Sequence, residues 1–486
     1  MVKTPRQLEL IVLGLWLAVI LGVTIRGIAT PHQNSVFLVF RDAGDGWLGA
    51  QPLYSAVGKY LYSPLAAAFF APFALLPDWA GSALWRLATG CAYLVAILYW
   101  FSAREEVPST PASAGLLRGQ PSGGTGSWTE AELERSGGGP LLQSRVSGQD
   151  VEAEPRPDEP AAAATLWRAV TNRGVSRWSL AATKDFGELC RAAWRSRELI
   201  PTVPATLALL LLLPLSIGNL NNGQASPLII ALLIFACLAT LDGHWTLAAA
   251  CISIAVFFKV YPLAIGLLLA VIEPRRLTWR IVLALLICGA LSLVLQRPAY
   301  VIDQYVEWWR SLVADRRRVS TELGSWRDTW LLLRILHVPI TVPGYAVLQA
   351  GTAVAAAIFC WWRSRTWERA AAVWSAFCIG CLWITLFGPS TELATYVFLA
   401  PSVAFACSWV LMPVIQGRQP LHRFEFLPIA AYALLLLAEA LNAWVPVIRQ
   451  NTYLHAIQPV AALLFLGFVV RWKPVPFQPA DLSASY

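Results

Sequence analysis

The chain reads as an all-α, polytopic membrane protein, and three observations predict this. Of its 486 residues 57% are hydrophobic and only 14% charged, with a mean hydropathy of +0.56, far above soluble usage. Apolar runs of roughly 20 residues recur along it, long enough to cross a bilayer as helices. The runs are continuous and not alternating, and lipid offers backbone amides no partner, so they are helices and not barrel strands.

The net charge of +8 does not point to nucleic acid, because the basic residues fall in short clusters between spans, as the positive-inside tendency requires. Cys91, Cys237, Cys251, Cys288, Cys360, Cys378, Cys381 and Cys407 lie in or beside apolar runs, and only Cys378 and Cys381 have a metal-type spacing. Helix packing accounts for that pair, so neither metal nor cofactor is expected. Lys3 and Arg6 precede the first apolar run without a convincing cleavage site behind it, which reads as a retained signal-anchor with a cytoplasmic N-terminus.

Residues 1–101 form a first membrane module, with spans at about Leu8–Ile28 and Asp78–Phe101 and an outer loop over 29–78. The loop opens on Phe40-Arg41-Asp42-Ala43-Gly44-Asp45-Gly46-Trp47-Leu48-Gly49, where the glycines read as helix breakers. Carboxylates beside hydrocarbon are costly, so Asp42 and Asp45 stand for chemistry or ion handling; a helix cap or a solvated loop is the competing reading. Pro64–Pro77 is apolar, short and punctuated by prolines, a re-entrant or interfacial helix by the parity of the later spans, or else a crossing.

Residues 102–200 change character. Their first half, with Ser136-Gly137-Gly138-Gly139-Pro140, cannot bury enough surface to order itself. Their second half interleaves Arg168, Arg173, Arg177, Lys184, Arg191, Arg195 and Arg197 with tryptophans, which suits an anionic inner leaflet and places the insert in the cytoplasm.

The module over 201–295 holds spans at Pro204–Ile217, Pro227–Leu241 and Thr278–Leu295. Gly218-Asn219-Leu220-Asn221-Asn222-Gly223-Gln224 turns at the outer face, where Asn219 and Gln224 either bind a ligand's hydroxyls or cap helices. Lys259-Val260-Tyr261-Pro262 interrupts Thr246–Ile272, and two short helices broken there keep both basic ends inside. Lys259 then sits at the outer surface or in a cavity opening to it, either snorkelling or contacting a phosphate. The outer loop over 296–342 carries Arg310, Arg316, Arg317, Arg318 and Arg327 against the positive-inside tendency, which calls for a partner such as phosphate unless they are a solvated face. Spans at Pro343–Trp361, Ala370–Phe387, Leu393–Met412, Phe426–Ala443 and Ala456–Val470 fill 343–473, and 474–486 is a cytoplasmic tail. The count is twelve spans, and Glu392 falls in an outer, proline-bounded turn.

Three stretches carry a resemblance to glycosyltransferase family 87, polyprenol-phosphate-mannose-dependent mannosyltransferases of the GT-C type. They are Asp42 through Leu53-Tyr54 with Tyr62-Ser63-Pro64; Gly218-Asn219 with Gly223-Gln224; and Lys259-Val260-Tyr261-Pro262. The resemblance implies a GT-C fold and transfer of a hexose from a polyprenyl-phosphate donor to a lipid or glycan acceptor at the outer face of the cell membrane. It assigns Asp42 alone as the base toward the acceptor hydroxyl; Asp45, three residues on, can share a helical face with it and is the alternative by spacing. Donor phosphate then falls to Lys259, Arg317, Arg318 and Arg327, and acceptor or sugar contacts to Asn219, Gln224, Tyr261 and Glu392. Many relatives carry a Ser-Trp followed by His where this chain has Gly388-Pro389-Ser390-Thr391-Glu392, which leaves the acceptor and the sugar open. A flippase or secondary transporter is the rival reading; transporters commonly show internal repeats, and no duplicated half is visible. A non-catalytic membrane subunit is a third.

Overall fold

The computed structural model describes residues 5–33, 35–54, 60–102, 203–314, 326–389, 391–417, 420–444 and 451–473. These residues fall in one compact unit, helical throughout. Nearly all of the insert predicted over 102–200, the tail 474–486, and Arg316, Arg317 and Arg318 lie outside the described residues.

Helices of the bundle alternate in direction between two ends, called upper and lower. α1 (Pro5–Ala29) rises, α2 (Phe37–Leu48) and α3 (Pro64–Ala74) lie at the top, and α4 (Asp78–Ser102) descends. α5 (Val203–Asn221) rises, α6 (Ser226–Leu241) descends, α7 (Trp245–Phe258) rises, α8 (Leu263–Ile272) descends and α9 (Pro274–Leu295) rises. α10 (Pro298–Ala314) and α11 (Thr329–Ile335) follow at the top. α12 (Val342–Thr366) descends, α13 (Arg369–Phe387) rises, and a 3-10 turn (Leu393–Phe398) leads into the descending α14 (Ala400–Ile415). α15 (Phe426–Trp444) rises, and after the short α16 (Thr452–His455), α17 (Ile457–Arg471) descends.

Contacts between helix ends fix these directions. At the top, Arg26 donates to Asn221 Oδ1 at 2.9 Å and the Trp85 indole to the Gly223 carbonyl at 2.8 Å. At the bottom, Arg369 donates to the Thr240 carbonyl at 2.6 Å and pairs with Glu273 at 3.2 Å, and Arg363 donates to the Val470 carbonyl at 2.8 Å. By length and composition seven described helices can cross a membrane: α1, α4, α9, α12, α13, α15 and the α16–α17 run; α5 to α8 and α14 are apolar but shorter.

In lipid the bundle is held by close packing and interhelical hydrogen bonds, since hydrocarbon already solvates apolar side chains. Trp16 shows both: it is fully buried, meets Tyr93 edge-on at 6.0 Å and donates to the Leu209 carbonyl at 3.0 Å, tying α1 to α4 and α5. Small residues permit the closest crossings. A Cβ added at Gly266 would lie 2.5 Å from Ile252 Cγ2, where the α7–α8 hairpin folds on itself.

One expectation is corrected. Gly44 and Gly46 do not break helix: α2 runs through both, because Phe37, Phe40, Ala43, Gly44 and Trp47 form one buried face against α3. Gly44 permits that approach, since a Cβ there would stand 2.6 Å from the Phe70 carbonyl oxygen. The described parts of the loop predicted over 296–342 are largely helical, and α10 anchors the top layer: Gln304 accepts from Leu53 N–H at 2.9 Å and the Trp308 indole donates to the Leu61 carbonyl at 3.2 Å.

Candidate active site

The site begins with the break between α7 and α8. Lys259 leaves the helix in an extended conformation (φ −149°, ψ 139°), and Pro262 starts the descending helix, its missing N–H being one that a helix start leaves unpaired. At 1.5 Å per residue, α7 rises about 21 Å and α8 descends about 15 Å. α1, of 25 residues, is about 37 Å long by the same rule. The hairpin tip meets the start of α3, where the Ser63 hydroxyl donates to the Phe257 carbonyl at 2.6 Å, and Lys259 there is half-buried; we call this region the recess.

Lys259 Nζ lies 5.9 Å from the Tyr62 ring centroid and 5.5 Å from that of Tyr261, with Ser226 Oγ, at the start of α6, 3.5 Å away. The ammonium is therefore held by ring faces and one hydroxyl and has no carboxylate in ion-pair contact among the described residues. Tyr261 meets Phe398 edge-on at 5.3 Å, and Tyr62 meets Phe40 of α2 at 4.8 Å. Burial pushes the Tyr62 hydroxyl up, opposed by the positive charge of Lys259 and reinforced by Tyr261 and Glu392. Glu392, exposed at the start of the 3-10 turn, thus shares the electrostatic surroundings of the recess.

Arg327 belongs to the same neighbourhood. Its N–H donates to the Thr391 carbonyl at 3.0 Å, and its carbonyl accepts from the Tyr396 hydroxyl at 2.6 Å, which fastens it to the segment bearing Glu392. Its buried guanidinium donates to Gln458 Oε1 at 2.9 Å and Asn442 Oδ1 at 3.4 Å. Burial lowers its pKa, while Glu439, Tyr396 and Glu392 pull the other way.

The Gly218–Gln224 turn is a backbone hub. Arg86 is bonded to the Asn221 carbonyl, Trp85 to that of Gly223, and the Val36 N–H to that of Asn222. Gly223 (φ +62°) supplies the left-handed conformation that closes it. The side chains differ: Asn219 is buried and its Oδ1 has no hydrogen-bond partner among the described residues. Gln224 is half-buried at the turn's exit.

Asp42 and Asp45 sit elsewhere. Asp42 is two residues past Phe40, about 200° around the helix, so it faces away from the Tyr62 contact. Its side chain is 65% exposed and pairs with Arg41 at 2.6 Å, while Arg41 also reaches Asp78 at 2.5 Å. Asp45 is exposed as well. The structure thus gathers Lys259, Tyr261, Glu392 and Arg327 around the recess, sets Asn219 and Gln224 in the adjoining turn, and keeps the two aspartates on the outer face of α2.

Sequence reasoning missed Ser226, Gln458, Asn442 and Glu439. Glu439 carried a signal: it is a lone carboxylate inside the apolar run of α15, where ionisable groups mark function. It lies beside the turn, its Oε2 being 3.7 Å from where a Gly218 Cβ would stand. Cys237, Cys378 and Cys381 cluster as buried thiols between α6 and α13, as packing requires.

Residues 161–389 match the sequence model of glycosyltransferase family 87. That segment contains Asn219, Gln224, Lys259, Tyr261, Arg317, Arg318 and Arg327, while Asp42 and Glu392 lie outside it. No curated protein matches the chain.

Proposed function

We propose that this chain, a membrane glycosyltransferase of family 87, moves a hexose, mannose by the resemblance, from a polyprenyl-phosphate donor to a lipid or glycan acceptor. The observation that carries the reading is the recess, where a lysine with no carboxylate in ion-pair contact among the described residues lies beside two tyrosine rings. Such a charge suits a phosphate arriving from the lipid side.

In this reading the donor phosphate meets Lys259, with Arg317, Arg318 and Arg327 around it. The acceptor oxygen attacks the anomeric carbon, the bond from that carbon to the phosphate oxygen breaks, and polyprenyl phosphate leaves. The resemblance gives the acceptor's proton to Asp42, which is paired with Arg41 on the outer face of α2 and so requires the acceptor to approach from that face, with Asp45 in reserve. Lys259 stabilises the departing charge. Asn219, Gln224, Tyr261 and Glu392 hold sugar or acceptor hydroxyls. With a lipid phosphosugar as donor, the reaction needs no nucleotide. The lower end carries Arg363, Arg365, Arg369, Arg471 and Lys473, which supports a cytoplasmic lower end and a site on the extracytoplasmic face of the cell membrane.

One observation favours a second assignment of the base: Glu392, unlike Asp42, shares the surroundings of Tyr62, Tyr261 and Arg327. Purified protein given radiolabelled polyprenyl-phosphate mannose and membrane-lipid acceptors should form a labelled glycolipid. Asp42→Asn should lower that rate by about a hundredfold or more with expression unchanged. Full activity in Asp42→Asn together with loss in Glu392→Gln would transfer the role to Glu392. Movement of labelled donor across proteoliposomes without product would sink the enzyme reading in favour of transport.

A further inference from the structure

The structure assigns an anionic-phospholipid site to the groove at the lower end, between the last turns of α12 and α17 and the start of α15. The groove encloses about 970 Å³, and its walls include Phe359, Trp362, Arg363, Phe424, Arg471 and Lys473. Of its lining residues three are cationic and one, Glu368, is acidic.

Arg363 is built in. It is 3% exposed, and its guanidinium lies 3.4 Å from the Trp367 ring centroid while donating to the Trp472 and Val470 carbonyls at 3.1 and 2.8 Å. It therefore neutralises the negative C-terminal end of α17, which would otherwise repel an anion. Its Nε is buried with no hydrogen-bond partner among the described residues.

Arg471 and Lys473 are different, being exposed and without a carboxylate in ion-pair contact among the described residues. The Arg471 guanidinium rests 4.7 Å from the Phe424 ring, which holds it at the rim.

Depth selects the occupant. α12 turns Val347, Val354, Ile358 and Trp361 outward, as a lipid-facing helix does, and its apolar run ends where the arginines begin. The groove thus spans the level where a phospholipid changes from acyl chain to headgroup. Phe359 and Trp362 suit the glycerol and upper chains, and Arg471 with Lys473 suit the phosphate. A zwitterionic headgroup would bring its own cation to a net positive rim, so the preference falls on anionic lipid.

Native mass spectrometry of the full chain tests this, with dioleoylphosphatidylglycerol and dioleoylphosphatidylcholine supplied equally. Wild type should retain dioleoylphosphatidylglycerol in preference. Arg471→Ala with Lys473→Ala should weaken that retention by about thirtyfold, the effect of two charges near a lipid surface. Arg471→Lys with Lys473→Arg should keep it. Equal retention of both lipids by wild type, unchanged preference in the alanine pair, or displacement by excess inorganic phosphate would each overturn the assignment. Should the alanine pair fail to fold, the wild-type preference must still collapse as salt rises, and its persistence would overturn the site.

Discussion

At the scale of single residues, charges at the top of the bundle divide by what surrounds them. Arg86 is 2% exposed and bonded to the Asn221 carbonyl, Ser82 Oγ and Ser35 Oγ, so its work is to hold α4 to the α5–α6 turn. Arg86→Ala should destabilise by about 3 kcal/mol, read from the unfolding midpoint in detergent, because it strands buried acceptors. Lys259 has ring faces and one long hydroxyl contact, and little structure depends on it. Lys259→Met should leave the unfolding midpoint within about 1 kcal/mol of wild type. It should lower kcat/KM for the proposed polyprenyl-phosphate donor by about a hundredfold, measured from initial rates at varied donor. A fall in stability matching the fall in rate would return Lys259 to a packing role.

At the scale of elements, the break at Lys259 was legible because Lys-Val-Tyr-Pro combines a charge with a residue that cannot continue a helix. Helix α2 was not. Its glycines score as breakers locally, and the packing of Phe40 against Phe70, rings stacked at 4.5 Å, overrides them only in the folded chain. Gly44→Ala should therefore push α2 off α3 and lower stability by about 1–3 kcal/mol. Gly351 in α12 has nothing within 4 Å of a would-be Cβ, so Gly351→Ala should be neutral or stabilising by up to about 1 kcal/mol. Unfolding midpoints of the two variants make the comparison. The link between Glu392 and Arg327 was equally hidden, since it depends on a backbone bond between residues 64 positions apart.

At the scale of the whole molecule, hydropathy made the course of the bundle readable, and the order of its helices follows the predicted runs closely. What hydropathy does not carry is depth. The half-buried setting of Lys259 depends on the top layer that meets the α7–α8 tip, a property of packing and not of any one run. Orientation is open to measurement: single cysteines at Gln51 and Tyr453, both exposed at the top, should react with impermeant maleimide from outside intact cells, and one at Arg365 only after lysis. The reverse pattern would invert the assignment of faces.

The lower end also holds both points at which the long insert joins the bundle, Ser102 at the foot of α4 and Val203 at the foot of α5. α4 alone is about 37 Å long at 1.5 Å per residue, so a helix length separates those attachment points from the recess. Residues 107–160, which precede the segment matched to the family, can be exchanged for a short flexible linker or a reporter domain, and glycolipid formation should continue at the wild-type rate.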